Sequence, residues 1–267
     1  MSGVQTVYRS GSRYYIHPTT EALAPSVTSV LNMEAKPFLQ GWSAKMAAEC
    51  AVEDLEVVQR IADRDRQAAV DFLKNAAKRY TKVRADVGSL VHDVWELELR
   101  GEHQRRVHPD VEPYMPAIRA FLDHYQPELL FAEDVAWSHG SGPDTTYAGS
   151  FDFMVRINGK VVLGDLKTSK DVYPSVAKQL AAYAHADELI TSDLVSQPFP
   201  KVDRGAVLHL TPAKSEFRPV EIGDGEFAKF MNHRESFKHS RAGVAGIIGR
   251  AAWAYSDGTV TGTARRS

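Results

Sequence analysis

The dipeptide Asn158-Gly159 constrains this chain more than any other short feature. It separates two runs rich in strand formers, Gly149 to Ile157 and Lys160 to Lys167. Asn-Gly in that setting predicts a two-residue type I′ turn, because both central residues need positive φ and these two tolerate it best. Such a turn fixes the register. Ile157 pairs with Lys160, and counting outward Asp152 falls opposite Asp165 and Ser150 opposite Lys167. Directly opposed residues on one sheet face have Cβ atoms roughly 4.5–5.5 Å apart, and like charges there repel. A fold keeps such a pair when a cation or a shared proton compensates. Lys167 lies two residues beyond Asp165, so alternation puts its amine on the same face, while the Leu166 side chain points to the other. Two acids and a lysine at one strand end look like a metal-dependent active site.

Composition narrows the setting. With 267 residues the chain can bury a full core, and 43% hydrophobic with 25% charged residues is a globular rather than a disordered composition. The formal net charge of -2 gives no global basic field, although a local basic groove can hold phosphates on a neutral protein. The single cysteine, Cys50, excludes a disulfide framework, a cysteine-rich zinc site and an iron–sulfur cluster built within one chain, and a reducing cytoplasm is the expected compartment. The opening residues lack a basic segment followed by an apolar run, so no signal peptide is expected. No membrane span is expected either, since Gly243 to Tyr255 is too short and carries Arg250.

Periodicity organises the rest. Residues to about Glu21 read as a β-rich lead-in, and Pro25-Ser26 opens a helix with Val27, Val30 and Leu31 inward. Helical spacing then runs from Phe38 to about Arg100, with breaks expected near Asp63 and Asp86 and a C-cap at Gly101. A loop to Pro113 precedes a helix from Pro116 to Tyr125. Leu129 to Trp137 reads as one strand, Ser138 to Thr145 as a loop, and Pro174 to Ile190 as a helix. Ala206 to Leu210 and Phe217 to Ile222 read as strands, followed by helices at Glu226–His239 and Val244–Tyr255. The order predicts an α/β fold, a mixed central sheet flanked by helices with a large helical N-terminal region. The expected division is 1–85 as lead-in and helical flank, 86–255 as core and 256–267 as a disordered tail.

Gly149-x-x-Asp152, Asp165-Leu166-Lys167-Thr168 and, in the next helix, Gln179-x-x-x-Tyr183 follow an upstream Gly88-x-x-x-His92. In this order they resemble the PD-(D/E)XK nuclease superfamily, most closely the stand-alone, phage-type exonucleases of its RecB-like branch. The likeness spans about Gly88 to Ala186, and Ser26-Val27-Thr28 with Leu39 and Trp42 extend it more weakly. It implies a restriction-endonuclease-like core that binds Mg²⁺ or Mn²⁺ through Asp152, Asp165 and the Leu166 backbone carbonyl. His92 would complete the shell of that ion or of a second one. Lys167 would orient or help deprotonate the attacking water, and Gln179 and Tyr183 would lie over the active-site sheet. That branch often carries a glutamate where Glu133 stands. Alternation puts Glu133 on the face of Phe131 and Val135, and its neighbour Asp134 is a weaker candidate for the same role. The likeness further implies DNA as partner, cleavage at DNA ends in recombination or repair, and a recombination or single-strand-binding protein as a further candidate partner. Without a cysteine quartet no iron–sulfur cluster is expected, and without a Gly-x-x-x-x-Gly-Lys-Ser/Thr motif no motor is expected in this chain.

Plainer readings stand beside these. Tyr183 can equally be a core residue, and a histidine such as His92 is often only structural. Thr168, Ser169 and Lys170 could donate to a phosphate or merely close a loop. Lys74, Lys78, Arg79, Lys82 and Arg84 have the spacing of a solvated helix face, as well as of backbone contacts to DNA, and Arg100, Arg105 and Arg106 lie near the His92 helix. A DNA-end-binding or assembly protein without catalysis is the competing function. A phosphatase of the Asp-x-Asp-x-Thr type fails because Lys167 occupies the second acid's place, and no His-x-x-x-His pair suggests a zinc enzyme.

Overall fold

The computed structural model describes residues 3–241 and 253–262. The lead-in forms a three-stranded antiparallel sheet of β1 (Thr6–Arg9), β2 (Ser12–Ile16) and β3 (Leu23–Pro25). Ser26 then caps α1 (Val27–Leu31), its hydroxyl accepting from the Ser29 amide. The helical flank comprises α2 (Phe38–Glu53), α3 (Leu55–Ala62), α4 (Arg66–Lys74) and α5 (Ala76–Leu99). The break near Asp63 is present, but none occurs at Asp86. The chain instead breaks at Asp54 and Asn75, and α5 runs unbroken across the 85/86 boundary expected from the sequence. Aspartate costs an interior helix position only a fraction of a kcal/mol, about 0.7 at most relative to Ala, and packing at both ends outweighs that. Gly101, at φ 75°, ends the helix in a Schellman turn: its amide donates to Glu98 and that of Glu102 to Leu97.

After α6 (Met115–Tyr125) come β4 (Glu128–Ala132), β5 (Val135–Ser138), β6 (Tyr147–Ser150), β7 (Phe153–Ile157) and β8 (Lys160–Lys167). Next are α7 (Ser175–Ala184), β9 (Glu188–Ile190), β10 (Ser196–Pro198), β11 (Arg204–Leu210), β12 (Ser215–Val220) and α8 (Asp224–Arg241). The helix expected to reach Ile190 stops at Ala184. Leu189 and Ile190 are fully buried in a strand paired with β5, where their apolar side chains gain more than a further helical turn would give. The terminal helix expected at Val244–Tyr255 lies mostly outside the described residues, and Trp253–Tyr255 belong to a strand. β13 (Trp253–Ser256) and β14 (Thr259–Gly262) form a hairpin that takes in residues 256–262 of the expected disordered tail, its turn supplied by Asp257-Gly258 at φ 50° and 79°, and residues 263–267 of that tail lie outside the described residues.

The central sheet is mixed and five-stranded, in the order β12-β11-β8-β7-β4, with β11 parallel to β8 and the other pairs antiparallel. The fold is therefore mixed α/β. Alternation along the strands divides the core in two. Phe153, Val155, Val162 and Leu166 pack against Val91, Val94 and Trp95 of α5 and Ile118 and Phe121 of α6. Met154, Leu163 and Val207 face α1, α7 and α8 through Leu31, Leu180, Tyr183 and Phe230. A second, antiparallel sheet runs β10-β9-β5-β6.

The Asn158-Gly159 turn forms as expected, with φ of 49° and 73°, and Ile157 pairs with Lys160. The ladder stops at Phe153–Gly164. Beyond it both long β runs bend into the second sheet, so the single strand expected over Leu129–Trp137 is two strands, β4 and β5. Glu133 takes the left-handed conformation at φ 56°, and the Phe151 amide donates to Asp134 across the corner. Ser150 accordingly pairs with Val135 rather than with Lys167. The expected Ser150–Lys167 opposition fails because the partner strand has already left the central sheet.

Gly164 marks the tightest point of the hairpin: a Cβ there would lie 2.0 Å from the Phe153 ring. Gly164→Ala should destabilise the protein by about 3 kcal/mol, or prevent folding, because Phe153 is itself clamped by Trp95. Chemical denaturation monitored by tryptophan fluorescence checks this, and a loss below about 0.5 kcal/mol would contradict the packing described.

Candidate active site

The corner positions the acids. Asp152 sits one residue before β7, outside any ladder, and its Oδ2 accepts the Leu166 amide at 2.6 Å. Asp165 and Lys167 lie on β8, on the face that packs against α7. Asp165 is 1% exposed, with Oδ1 accepting from Lys167 Nζ at 2.8 Å and from Gln179 Nε2 at 2.9 Å. Its Oδ2 lies 2.6 Å from the same ammonium, out of line for a hydrogen bond, and is buried. Gln179 also reaches the Tyr183 hydroxyl at 3.4 Å, one turn further along α7. Tyr183 is a core residue with a polar tip at the site. Gly149 makes room for it, since a Cβ there would come within 2.7 Å of the Tyr183 ring.

From the opposite side α5 brings His92 to the corner. Its Nδ1 is 3.7 Å from Asp152 Oδ2, and the nearby Leu166 backbone favours its protonated form. Gly88, one turn earlier, lets the helix approach: a Cβ there would meet Thr168 Oγ1 at 3.0 Å. This gives the Gly88-x-x-x-His92 spacing a physical reason. Glu133 joins the same group. Its left-handed backbone frees the side chain from strand alternation, so the carboxyl enters the cleft while the rest of the residue faces solvent, and Ser150 Oγ donates to its Oε2 at 3.3 Å. Asp134 instead turns inward, is buried and accepts the Ser192 amide at 2.8 Å. The expectation that alternation governs Glu133 is thus corrected by the bend.

The electrostatics are those of crowded acids. Burial, then the neighbouring Asp152 charge, pushes Asp165 up to about 6. Asp152 is also raised by burial, against the pull of Lys167 and the Leu166 amide. Glu133 is pushed up to about 7 by desolvation within the cleft and by Asp152 and Glu96. Burial opposes the Lys167 charge, but Asp165 and Asp152 outweigh it and hold its pKa above the usual lysine value. Burial and Lys167 push His92 down, so its imidazole is neutral at neutral pH, the form that ligates metals.

One oxygen or nitrogen each from His92, Glu133 and Asp152 lies within 4.8 Å of the others, a spacing that could hold a cation. The donor set and the excess of buried negative charge fit a hard divalent ion. Asp165 stands outside that trio, its Oδ1 engaged by Lys167 and Gln179. Sequence reasoning missed two neighbours, Glu96 and the Tyr15 hydroxyl that accepts the Ser150 amide at 3.1 Å, and it set Ser150 opposite Lys167 rather than beside Glu133. Glu96 was detectable, being one turn from His92 on the same helix face. Tyr15 was not, since only the tertiary fold brings β2 to β6. Among the basic residues, Arg100 pairs with Glu96 at 2.8 Å, while Ser169 closes its own loop by donating to the Asp171 carbonyl at 2.7 Å.

No protein-family model and no curated protein matches the chain. Among solved structures, one described as the crystal structure of SSO0001 is similar over 69% of this chain and 70% of its own, at 13% identity and a TM-score of 0.35. A likeness that slight carries no functional argument. No described helix is long and apolar enough to cross a membrane.

The crowded acids should cost stability. Asp152→Asn keeps an acceptor for the Leu166 amide and removes one charge. The raised native pKa values mean that ionising the pair disfavours the fold as pH rises through about 6. In chelator, the variant should therefore melt higher than wild type at pH 8, by about 2–4 °C for each kcal/mol relieved, and the gap should shrink as pH falls towards 4. Differential scanning calorimetry at both pH values reads it directly; an equal or lower midpoint at pH 8 would contradict the assignment.

Proposed function

We propose that the chain is a divalent-metal-dependent nuclease of the PD-(D/E)XK type, on a restriction-endonuclease-like core, hydrolysing DNA phosphodiester bonds at DNA ends in the cytoplasm. The observation that carries this reading is the convergence of Asp152, Asp165 and Lys167 with Gln179 and His92 at one strand end, where two buried acids have raised pKa values and a lysine keeps its proton. Binding of DNA alone requires no such arrangement.

The residues divide the work. Mg²⁺ or Mn²⁺, when bound, supplies a Lewis acid for the phosphoryl oxygens and lowers the pKa of a water. Asp152, with His92 and Glu133, would hold the ion, and Asp165 would join them on exchanging its lysine contact for the cation. The Leu166 carbonyl lies within reach of His92 and is a further ligand candidate. Lys167 holds its proton firmly, so it serves to orient the water and to offset charge growing on the phosphate rather than to act as a base. Gln179, hydrogen-bonded to both Asp165 and Tyr183, fixes the carboxylate's orientation. Raised acids at this site also mean that protons compete with the ion, so metal binding weakens as pH falls through about 6.

A catalytically silent DNA-end-binding protein on the same fold is the second reading. It is favoured by the engagement of Asp165 with Lys167 and Gln179, apart from the His92–Glu133–Asp152 trio. End-labelled linear DNA and closed-circular DNA incubated with Mg²⁺ or Mn²⁺ decide between the two. The nuclease reading expects loss of the linear substrate, survival of the circle and complete inhibition by chelator. Asp165→Ala and Lys167→Ala should each lower the rate by at least about 10²-fold. Full activity in either variant sinks the assignment, and tight binding without cleavage in any metal supports the silent protein.

A further inference from the structure

β6 is an edge strand of the second sheet, paired with β5 on one side. Its other side is covered by the lead-in. Ser26 bridges Ala148, and two residues further along the Tyr15 hydroxyl accepts the Ser150 amide at 3.1 Å. An edge amide needs an acceptor when it is withdrawn from water, and here a side chain from β2 supplies it. Tyr15 itself is 3% exposed, its ring set among Ala24, Val135, Ala148 and Ile190, with the Arg13 guanidinium 5.2 Å from the ring centroid. Packing alone would ask for Phe at this position, because burying a hydroxyl costs free energy unless it is bonded. The bond that this one makes is to the strand end from which the candidate site is built. Burial raises the Tyr183 pKa, and Tyr15, Asp152 and Asp165 raise it further, so Tyr15 shares the neighbourhood of the acids.

Ser150 passes the constraint on. Its Oγ donates to Glu133 Oε2 at 3.3 Å, and Glu133 is one of the trio, with His92 and Asp152, whose ligand atoms lie within 4.8 Å of one another. Among the described residues Ser150 is the one hydrogen-bond donor to the Glu133 carboxylate. Glu133 has particular need of it, since the left-handed backbone at φ 56° takes its side chain out of the strand ladder that holds its neighbours. A glutamate loses rotamer freedom when it takes an ion, and a donor that holds it in place beforehand lessens that loss. We propose that Tyr15 is a positioning residue for the metal site: by accepting the Ser150 amide it fixes Ser150, whose hydroxyl orients the Glu133 carboxylate beside Asp152 and His92. The proposal rests on the metal-holding part of the nuclease reading. It gives the lead-in sheet a part in the site, although β2 lies outside the core expected from the sequence.

Mn²⁺ titrated into the full chain at pH 8 without DNA, with free Mn²⁺ counted by electron paramagnetic resonance, tests the relay. Tyr15→Phe keeps the ring and removes the acceptor, and it should weaken Mn²⁺ binding by about 10-fold. Ser150→Ala leaves the amide bonded to Tyr15 and removes the link to Glu133, so it should weaken binding by a similar factor. The double variant should bind within about 2-fold of Ser150→Ala alone, because both changes cut one chain of contacts. A Tyr15 that serves only the packing of the lead-in would not lower Mn²⁺ affinity through Ser150, and its effect would multiply with that of Ser150→Ala. That product overturns the relay, as does an unchanged affinity in either single variant or a wild type that takes up no Mn²⁺. Ser150 is partly exposed, so its variant reads the link to Glu133 even where Tyr15→Phe is poorly folded. End-labelled DNA added to the same samples separates the relay from the nuclease. Mn²⁺ affinity lowered in the variants with no hydrolysis by wild type would remove the nuclease and leave the relay. Hydrolysis by wild type with affinity unchanged in the variants would remove the relay and leave the nuclease.

Discussion

The hydrogen bond from the Leu166 amide to the Asp152 carboxylate is the interaction on which the site depends. Where the β7–β8 ladder ends, an amide near the sheet edge needs an acceptor, and burying it unpaired would cost about 1–3 kcal/mol. A side-chain carboxylate satisfies it, which leaves the main chain of residues 150–152 free to turn into the second sheet. The same bond anchors Asp152 beside Asp165 without a ladder rung between them. The hairpin thus brings the acids together and the side chain holds them there. Across the corner, Glu133 must follow the bend, and its left-handed φ is the backbone cost of doing so.

Such a centre is a local minimum of stability. Two buried carboxylates, one lysine and a neutral imidazole leave an excess of negative charge in a poorly solvated place, and the raised pKa values of Asp152 and Asp165 express that cost. The core on either side of the sheet supplies what the site takes away: Leu166, between the two functional residues of β8, is fully buried against the α5–α6 layer. Alternation makes this division of labour automatic. Asp165 and Lys167 face α7, while Gly164 and Leu166 pack on the other side.

Much of this was legible because it is local. Asn158-Gly159 dictates turn and register, Ser26 and Gly101 dictate helix ends, and the i, i+4 spacing of Gln179 and Tyr183 puts both on the inner face of α7. What stayed hidden depends on distant partners. Leu129–Trp137 reads as one strand because its residues favour strands throughout. The bend at Glu133 follows only from β4 pairing with β7 and β5 with β6 and β9. Glu188–Ile190 continues the apolar pattern of α7 and becomes a strand because an edge of β5 is available. Glu133 and Asp134 could not be told apart by alternation, since alternation ends at the very residue in question.

The continuity of α5 ties these parts together. A helix broken at Asp86 would let the segment carrying Lys82 and Arg84 move independently of the one carrying His92. An unbroken helix of 24 residues, about 36 Å long, cannot bend there without losing backbone hydrogen bonds. Gly88, His92 and Glu96 recur at one-turn spacing, so they form one stripe, and Gly88 fixes that stripe against Thr168 at the end of β8. The position of those basic residues relative to the acids is therefore set by helix geometry, not by a loop. A rigid helix that passes from solvent into the core at the site itself converts a sequence spacing into a spatial one. It makes the distance from Arg84 to the Asp152–Asp165 pair a fixed property of the fold.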